Sequence, residues 1–177
     1  MRHAWLVVLL SLAASAHADE PAPPPPLQLQ PQLQVDGGLS VIGPAYEQPV
    51  ARQLAIAVEL FVFGTYFLPW FDAGDEVRGV GFGVRPTWFA RESGRGLYVA
   101  PYFRGVTVAT DSITGGEGIG FTTGVFVGWA FGLTPTLDLR IGAGAQYLHF
   151  HVDDAAGSKR STETPFLALD AVLGYRL

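Results

Sequence analysis

The sequence predicts an all-β protein, an eight-stranded antiparallel transmembrane β-barrel with up-and-down topology. Three observations support this prediction. The chain begins with an export signal, its composition is too apolar for an exported soluble domain, and large apolar residues recur at every second position. The third observation carries most weight, because alternation along a strand places one set of residues on each face of a sheet.

Residues 1–18 are predicted to be a secretory signal peptide that directs the chain to the Sec pathway. Arg2 supplies a positive charge, residues 6–12 are apolar, and Ala16-His17-Ala18 is a small-x-small cleavage pattern. An N-terminal membrane anchor is the alternative, but the apolar stretch is short for a span. Residues 19–26, DEPAPPPP, are expected to form an extended Pro-rich tether, and residues 27–177 the barrel domain.

The composition excludes several classes of function. Removal of Arg2 with the signal peptide lowers the formal net charge of the chain from −5 to −6. A chain with this negative charge has no electrostatic attraction to the phosphates of nucleic acid, so nucleic acid is not expected as a partner. The chain has no cysteine, and disulfides and thiolate metal sites are therefore excluded. It is 49% apolar and 12% aromatic, with 22 glycines and a positive mean hydropathy. Such a balance favours a protein that turns apolar side chains towards lipid.

The first predicted strand lies in LQLQPQLQVDGG, residues 27–38. Glutamine and leucine or valine alternate, so the glutamines are expected to line the lumen and the leucines to face lipid. Pro31 cannot donate a ladder hydrogen bond, so the strand is expected to start only at Gln32 and to pair partially. Asp36-Gly37-Gly38 is predicted to be a hairpin turn. With a second strand over 39–48 and six strands after it, this stretch brings the total to eight, and an even number of strands is usual for bacterial barrels.

The third predicted strand, residues 53–68, is the longest apolar run of the mature chain. A transmembrane helix is the alternative interpretation. Glu59 would then lie in the middle of the membrane without a partner, which is costly. Alternation and the enrichment in β-branched and aromatic residues favour a strand.

Five further stretches alternate in the same way, over residues 78–90, 97–108, 119–132, 136–148 and 164–177. One face is large and apolar, and the other is small or charged. A soluble sandwich reverses this arrangement, because its large apolar residues meet in a core. The small and charged face is therefore predicted to line a narrow lumen, and the apolar face to contact lipid.

The connections between these stretches alternate in length. The segments 69–77, 109–118 and 153–162 are long, whereas 48–52, 92–95 and 132–135 are short. Long external loops and short periplasmic turns are typical of outer-membrane barrels, which places the C-terminus in the periplasm. The tip Tyr175-Arg176-Leu177 resembles the signal for barrel insertion, although Phe is the commoner last residue.

Eight ionisable residues fall on the inward positions, four acids and four arginines: Glu47, Glu59, Arg85, Arg104, Asp138, Arg140, Asp170 and Arg176. Unpaired charges in a narrow interior are unfavourable, so these side chains are expected to form a balanced salt-bridge network that closes the lumen. A narrow pore for ions or small solutes is the alternative. Glycines on the same face are expected to make room for the arginines.

Two histidines remain in the mature chain, in YLHFHVDD. In a strand, His149, His151 and Asp153 share a face and are a weak candidate for a zinc-like ion. The expected arrangement is instead an aromatic band at the outer rim, with no metal and no cofactor. A lipid-modifying rim enzyme would pair one histidine with Ser158 or Ser161, oriented by Asp153 or Asp154, but no motif supports it.

Two segments carry a family resemblance. GLSVIGPAYEQPV (38–50), with its Tyr46-Glu47 pair before a turn, and GFGVRPTWFARESGRGLYVAPYFRG (81–105) resemble a family of small bacterial outer-membrane barrels. That family is classed as a domain of unknown function and is related to the OmpA-like eight-stranded barrels. The resemblance implies an outer-membrane barrel and brings no activity with it.

The expected function is a non-enzymatic structural or surface-interaction role in the outer membrane of a Gram-negative bacterium. The expected partners are outer-membrane lipids and lipopolysaccharide, with the barrel-assembly machinery during insertion, and the chain is expected to be a monomer. The narrow pore, the rim enzyme and a periplasmic soluble β-protein remain the competing hypotheses.

Overall fold

The computed structural model describes residues 28–39, 41–64, 77–110, 116–154 and 159–177. The predicted signal peptide and Pro-rich tether lie outside these ranges. Eight strands follow one another in the described part: β1 (Gln32–Gly38), β2 (Val41–Ala51), β3 (Leu54–Gly64), β4 (Val77–Phe89), β5 (Gly96–Thr110), β6 (Gly116–Gly132), β7 (Leu137–Asp154) and β8 (Lys159–Arg176). Within these ranges, no helix is long and apolar enough to cross a membrane.

The eight strands form a closed barrel in which each strand pairs antiparallel with its neighbours in sequence, and β8 pairs with β1. The predicted fold class is therefore confirmed. β1 begins at Gln32, as expected from Pro31, and its ladder runs from Gln32↔Arg176 to Gly38↔Asp170 on the β8 side. Strand β1 closes the wall along its whole length.

The strands are strongly staggered around the wall. A path that starts at Gln34 of β1 and moves to the paired residue on each next strand reaches Thr164 of β8. Gln34 itself pairs with Gly174 of β8. One circuit therefore shifts the register by ten residues along β8, the difference between positions 174 and 164. A shear of this kind is required to close a tilted eight-stranded sheet around a lumen narrow enough for side chains to fill.

Three connections lie at one end of the barrel, here called the lower end: residues 52–53, 90–95 and 133–136. The start of β1 and the end of β8 lie at the same end. Gly94 in the turn between β4 and β5 and Gly96 at the start of β5 have φ of 70° and 89°, a conformation that residues other than glycine rarely adopt. The opposite, upper end carries the connections 65–76, 111–115 and 155–158, which lie outside the described ranges.

Several boundaries differ from the sequence-based expectation. Asp36-Gly37-Gly38 does not form the predicted turn. Asp36 and Gly37 pair with both β2 and β8, Gly38 pairs with β8, and the turn follows Gly38. The predicted long connections over 109–118 and 153–162 are shorter: β5 ends at Thr110 and β6 begins at Gly116, while β7 continues to Asp154 and β8 begins at Lys159. The predicted alternation of long and short connections is therefore wrong for these two, which are no longer than the lower connection 90–95. The alternation of apolar and polar residues is hard to recognise at these strand ends, because polar residues occur there at successive positions.

The outward face is apolar on every strand. Each strand exposes large hydrophobic side chains, such as Val35, Leu60, Phe82, Ile119 and Leu167, which are 54–71% exposed. The inward face holds the buried residues, including nine charged ones. This arrangement is the inverse of a soluble protein, in which exposed apolar patches are small.

Candidate functional site

The candidate site is the lower and middle part of the lumen. The structure places all eight predicted lumen residues inside the barrel with exposed fractions of at most 4%: Glu47, Glu59, Arg85, Arg104, Asp138, Arg140, Asp170 and Arg176. A ninth charged residue, Asp36 on β1, is also buried there. These nine residues are called the lumen charge network below.

The lower layer of the network is built on an ion pair between Arg140 of β7 and Glu47 of β2. The two guanidinium nitrogens Nη1 and Nη2 each donate to one carboxylate oxygen at 2.6 Å. Arg140 also donates to the side-chain oxygen of Gln32 at 3.1 Å, and its guanidinium lies 4.8 Å from the ring centroid of Phe89. A two-bond pair of this kind fixes the orientation of both groups as well as their distance.

Asp138 and Arg176 form the second pair of the lower layer. Arg176 Nε donates to Asp138 Oδ2 at 2.6 Å, and Gln32 Nε2 donates to the same oxygen at 2.9 Å. Arg95, from the turn between β4 and β5, reaches the same carboxylate from the lower mouth at 3.6 Å. Gln32 thus connects both lower pairs.

The middle layer is centred on Arg85 of β4, whose guanidinium contacts three carboxylates. Its Nη1 lies 2.6 Å from Asp36 and 3.0 Å from Asp170, and its Nε lies 3.2 Å from Glu59. Arg85 also donates to the Gln34 side-chain oxygen at 3.2 Å. A single guanidinium therefore holds three strands, β1, β3 and β8, to β4.

Arg104 completes the middle layer. Its Nε donates to Glu59 at 2.7 Å and its Nη2 to Asp36 at 3.0 Å. The guanidinium also lies over the ring of Tyr102, 4.7 Å from its centroid, where a cation–π interaction adds to the ion pairs. The remaining oxygen of Asp170 accepts a hydrogen bond from the Tyr98 hydroxyl at 2.7 Å.

Small residues leave the space that these side chains occupy. A Cβ at Gly83 would lie 2.8 Å from Arg104 Cγ, and one at Gly128 would lie 2.7 Å from the Tyr98 hydroxyl. The expectation that inward glycines make room for arginines therefore holds at Gly83. At Gly128 the accommodated group is a tyrosine.

Sequence reasoning missed part of the network. The composition of residues 36–38 points to a turn, although the parity of Asp36 with Gln32 and Gln34 places it inward. Arg95 lies in a short turn, outside any alternation. With these two residues, five carboxylates face five guanidinium groups in the described part of the lumen, rather than four facing four.

The upper lumen contradicts the expectation of an inward face that is small or charged throughout. Above the network, eight inward apolar side chains form a buried cluster, called the upper apolar cluster: Val41, Phe61, Phe63, Val106, Val108, Leu148, Phe150 and Val152. Phe166 of β8 packs against it. These residues have the correct parity for the lumen, but their size resembles that of the outward face.

The lower mouth is partly covered by the residues that precede β1. Leu29 packs against a second buried cluster that includes Phe89 and Tyr98. The carbonyl oxygen of Pro31 accepts a hydrogen bond from the backbone N–H of Leu177 at 3.0 Å. At the same C-terminal tip, Tyr175 and Leu177 point outward and are 53% and 61% exposed.

The histidines lie on the outer face of β7 near the upper rim. His149 Nδ1 lies 3.1 Å from Glu163, and His151 Nε2 lies 3.1 Å from Asp153, so the two rings contact different carboxylates. Ser161 is the cross-strand neighbour of His151, yet that histidine bonds to Asp153, and Ser158 lies outside the described residues. No group of three metal-ligating side chains occurs in the described ranges.

Comparisons with known proteins give a structural match and no sequence match. No protein-family model matches the chain, and no curated protein sequence matches it. A crystal structure of a major outer membrane protein from Thermus thermophilus aligns over 84% of this chain and 100% of that chain, with 16% sequence identity and a TM-score of 0.43. The resemblance to the family of small OmpA-like barrels remains a prediction.

Proposed function

We propose that this chain is a non-enzymatic β-barrel of the outer membrane, with a structural or surface-interaction role and a lumen closed by the lumen charge network. One observation carries the proposal: all eight strands are apolar on the outer face, and every strand except β6 has a buried charge in the lumen. A closed barrel and a helix are the two structures that satisfy every backbone group in a bilayer. The barrel therefore fits a hydrocarbon environment and does not fit water.

Two features support the orientation and the closed lumen. The start of β1 and the end of β8 share the lower end, and the longest connection, residues 65–76, belongs to the opposite end, which in outer-membrane barrels is the external one. The arginines of the network contact carboxylates from opposite walls at 2.6–3.2 Å, so their side chains span the lumen. A closed lumen favours the structural role over a pore.

Membrane insertion is tested by fractionating cells that express the full chain and running the outer-membrane fraction on SDS gels with and without boiling. We expect the protein in that fraction, with a mobility that shifts on heating, because a closed barrel resists SDS until it is heated. A soluble periplasmic pool without a heat-dependent shift would exclude the proposal.

The closed lumen is tested by planar-bilayer recordings on the refolded protein. We expect no discrete conductance steps, and reproducible steps would establish the pore instead. The rim-enzyme hypothesis is tested by mass spectrometry of lipid A from cells with and without the protein, for which we expect identical profiles.

A further inference from the structure

The ladder between β4 and β5 is interrupted in the lower half of the barrel. It stops at Val84↔Phe103 and resumes at Trp88↔Val99, so three positions on each strand are left without a partner in the ladder. The ladders on either side, β3–β4 and β5–β6, run without a break past the same residues of β4 and β5. This line between β4 and β5 is called the seam below.

Two prolines that face each other cause the interruption. The flanking pairs keep the same register, so Pro86 of β4 lies directly opposite Pro101 of β5. The backbone N–H of Ala90 donates to the carbonyl oxygen of Leu97 at 2.9 Å, and every second pair of an antiparallel ladder repeats this bonded arrangement. Pro86 and Pro101 thus occupy a pair that would exchange two backbone hydrogen bonds, and neither residue has an N–H to donate.

The missing bonds leave a weak line in the wall. Proline within a sheet normally lies on an edge strand, and the closed barrel has no edge. The carbonyl oxygens of Pro86 and Pro101 lose their ladder donors, which is unfavourable away from water. Beside them, the buried hydroxyl of Thr87 also has no hydrogen-bond partner in the described part of the chain. Backbone hydrogen bonds therefore do not hold β4 to β5 at this height.

Other prolines in the strands interrupt the wall less. Pro165 of β8 lies opposite Tyr147, and the β7–β8 ladder runs past this pair without a break. A shorter gap in the β2–β3 ladder lies at Pro44, opposite Leu60, which retains its N–H. The loss of both bonds at the seam results from two prolines in one bonded pair.

Two arginines connect the strands on either side of the seam. Arg85 lies next to the gap on β4, and Arg104 lies just above the gap on β5. Both guanidinium groups contact the same carboxylate oxygen, Oδ2 of Asp36, at 2.6 and 3.0 Å. Both also contact the carboxylate of Glu59, at 3.2 and 2.7 Å. The four side chains, called the arginine clamp below, join β4 to β5 through shared carboxylates in the lumen.

We propose that the seam is a lateral gate in the barrel wall, and that the arginine clamp holds it closed in place of backbone hydrogen bonds. Charge-assisted bonds are stronger than the neutral backbone bonds that are missing. Opening the seam separates Arg85 from Arg104, so the middle layer of the lumen charge network opens together with the wall. The gate goes beyond the proposed structural role, since it depends on strand pairing and not on insertion into a membrane.

The gate is tested by amide hydrogen exchange, measured residue by residue by NMR on the refolded full chain in detergent micelles. The amides that flank the seam belong to Val84, Phe103, Trp88 and Val99. We expect them to exchange about tenfold faster than the amides of residues 123–127 of β6, because local opening controls exchange. The ladders on both sides of β6 are unbroken, so its amides report a closed wall. Equal protection at both places would overturn the proposal.

The clamp is tested by Arg104→Lys, which keeps the positive charge but does not offer a planar fork to two carboxylates. We expect it to speed the exchange of the flanking amides by about tenfold, the effect of losing one strong hydrogen bond. Arg140→Lys makes the same change at the buried pair with Glu47 and should leave those amides unchanged. If Arg104→Lys does not show the heat-dependent gel shift of a folded barrel, Glu59→Gln replaces it. A folded clamp variant without faster exchange would refute the clamp, as would equal acceleration in Arg140→Lys.

The missing backbone bonds are tested by Pro101→Val, which returns one N–H to the seam opposite the carbonyl oxygen of Pro86. We expect exchange of the flanking amides to slow by about tenfold, and the effect of Arg104→Lys to be cancelled in the double variant, because a backbone bond then replaces the clamp. Pro165→Val is the matched control and should change nothing at the seam, since its ladder is already unbroken. A folded Pro101→Val variant with unchanged exchange would show that the wall does not open at the seam and would exclude the gate.

Discussion

The ion pair between Glu47 and Arg140 offers a direct test of how dry the lumen is. We expect Glu47→Met and Arg140→Met each to lower the free energy of unfolding by about 3–5 kcal/mol, because each leaves a buried charge without its partner. Methionine is chosen because it is close in volume to both side chains, so the packing changes little. The double variant removes both charges, and we expect it to cost far less than the sum of the two single changes.

The magnitude follows from the geometry. The two bonds of 2.6 Å place the charge centres about 4 Å apart, and two unit charges at that distance attract by about 4 kcal/mol at an effective dielectric constant near 20. Both variants that lack Arg140 also lose its bond to Gln32, worth about 1 kcal/mol. The double variant is therefore expected to lose about 1 kcal/mol, and the coupling energy of the cycle to be several kcal/mol.

The assay is urea unfolding of the refolded barrel in lipid vesicles, followed by tryptophan fluorescence. The matched control is the pair Arg52–Glu92, which is separated by 3.6 Å and has side chains 86% and 54% exposed. Exposed pairs contribute about 0–1 kcal/mol, so the same cycle there should give almost no coupling. If the Glu47–Arg140 cycle gives a coupling as small as this control, the lumen is wet and screened, and the reasoning is refuted.

Three further predictions use the same protein. Val127→Arg, on the outward face of β6, is expected to cost about 2–4 kcal/mol in vesicles, whereas Leu133→Arg in a lower turn should cost about 0–1 kcal/mol; equal costs would contradict a lipid-facing belt. Replacing both Arg85 and Arg104 by serine is expected to produce discrete conductance in planar bilayers, because their side chains fill the middle lumen. A double variant that keeps the heat-dependent gel shift of a folded barrel but is silent would show that other groups close the lumen. Zinc is expected to leave the unfolding midpoint unchanged, since His149 and His151 contact different carboxylates; a zinc-dependent increase would restore the metal site.

Much of the barrel could be predicted because alternation is a local property of the chain. Each strand shows its two faces in its own sequence, and Gln32 as the first residue of β1 follows from the missing N–H of Pro31. The parity of Glu59, Arg85 and Arg140 also placed them inside, where the structure has them. Which arginine meets which carboxylate could not be predicted, because the pairs join residues up to 93 positions apart through the stagger of the whole barrel.

Two other features were missed for physical reasons. Asp36 followed by two glycines has the composition of a turn, but its backbone pairs in the ladder, so tertiary closure overrode the local turn preference. The upper apolar cluster was missed because lumen and lipid both accept a phenylalanine, and alternation between two apolar faces gives no contrast. Phe61 and Phe63 share the parity of Glu59, which was the available signal.

The change from a charged to an apolar lumen coincides with the upper end of β1 in the described part of the barrel, and the end of the β1 ladder explains why. Asp36 is the uppermost charged inward residue of β1, and Asp170, at the last β1 pair, is the uppermost of the lumen charge network on β8. Below that level, all eight strands surround the lumen, and each charge finds a partner across it. Above that level the β1 ladder has ended, so a charge in the lumen would have no polar side chain of β1 to pair with, and an unpaired buried charge costs several kcal/mol. Apolar side chains carry no such cost, and Phe63, Leu148 and Phe150 occupy that space. The short first strand thus accounts for the height at which the lumen charge network ends and the upper apolar cluster begins.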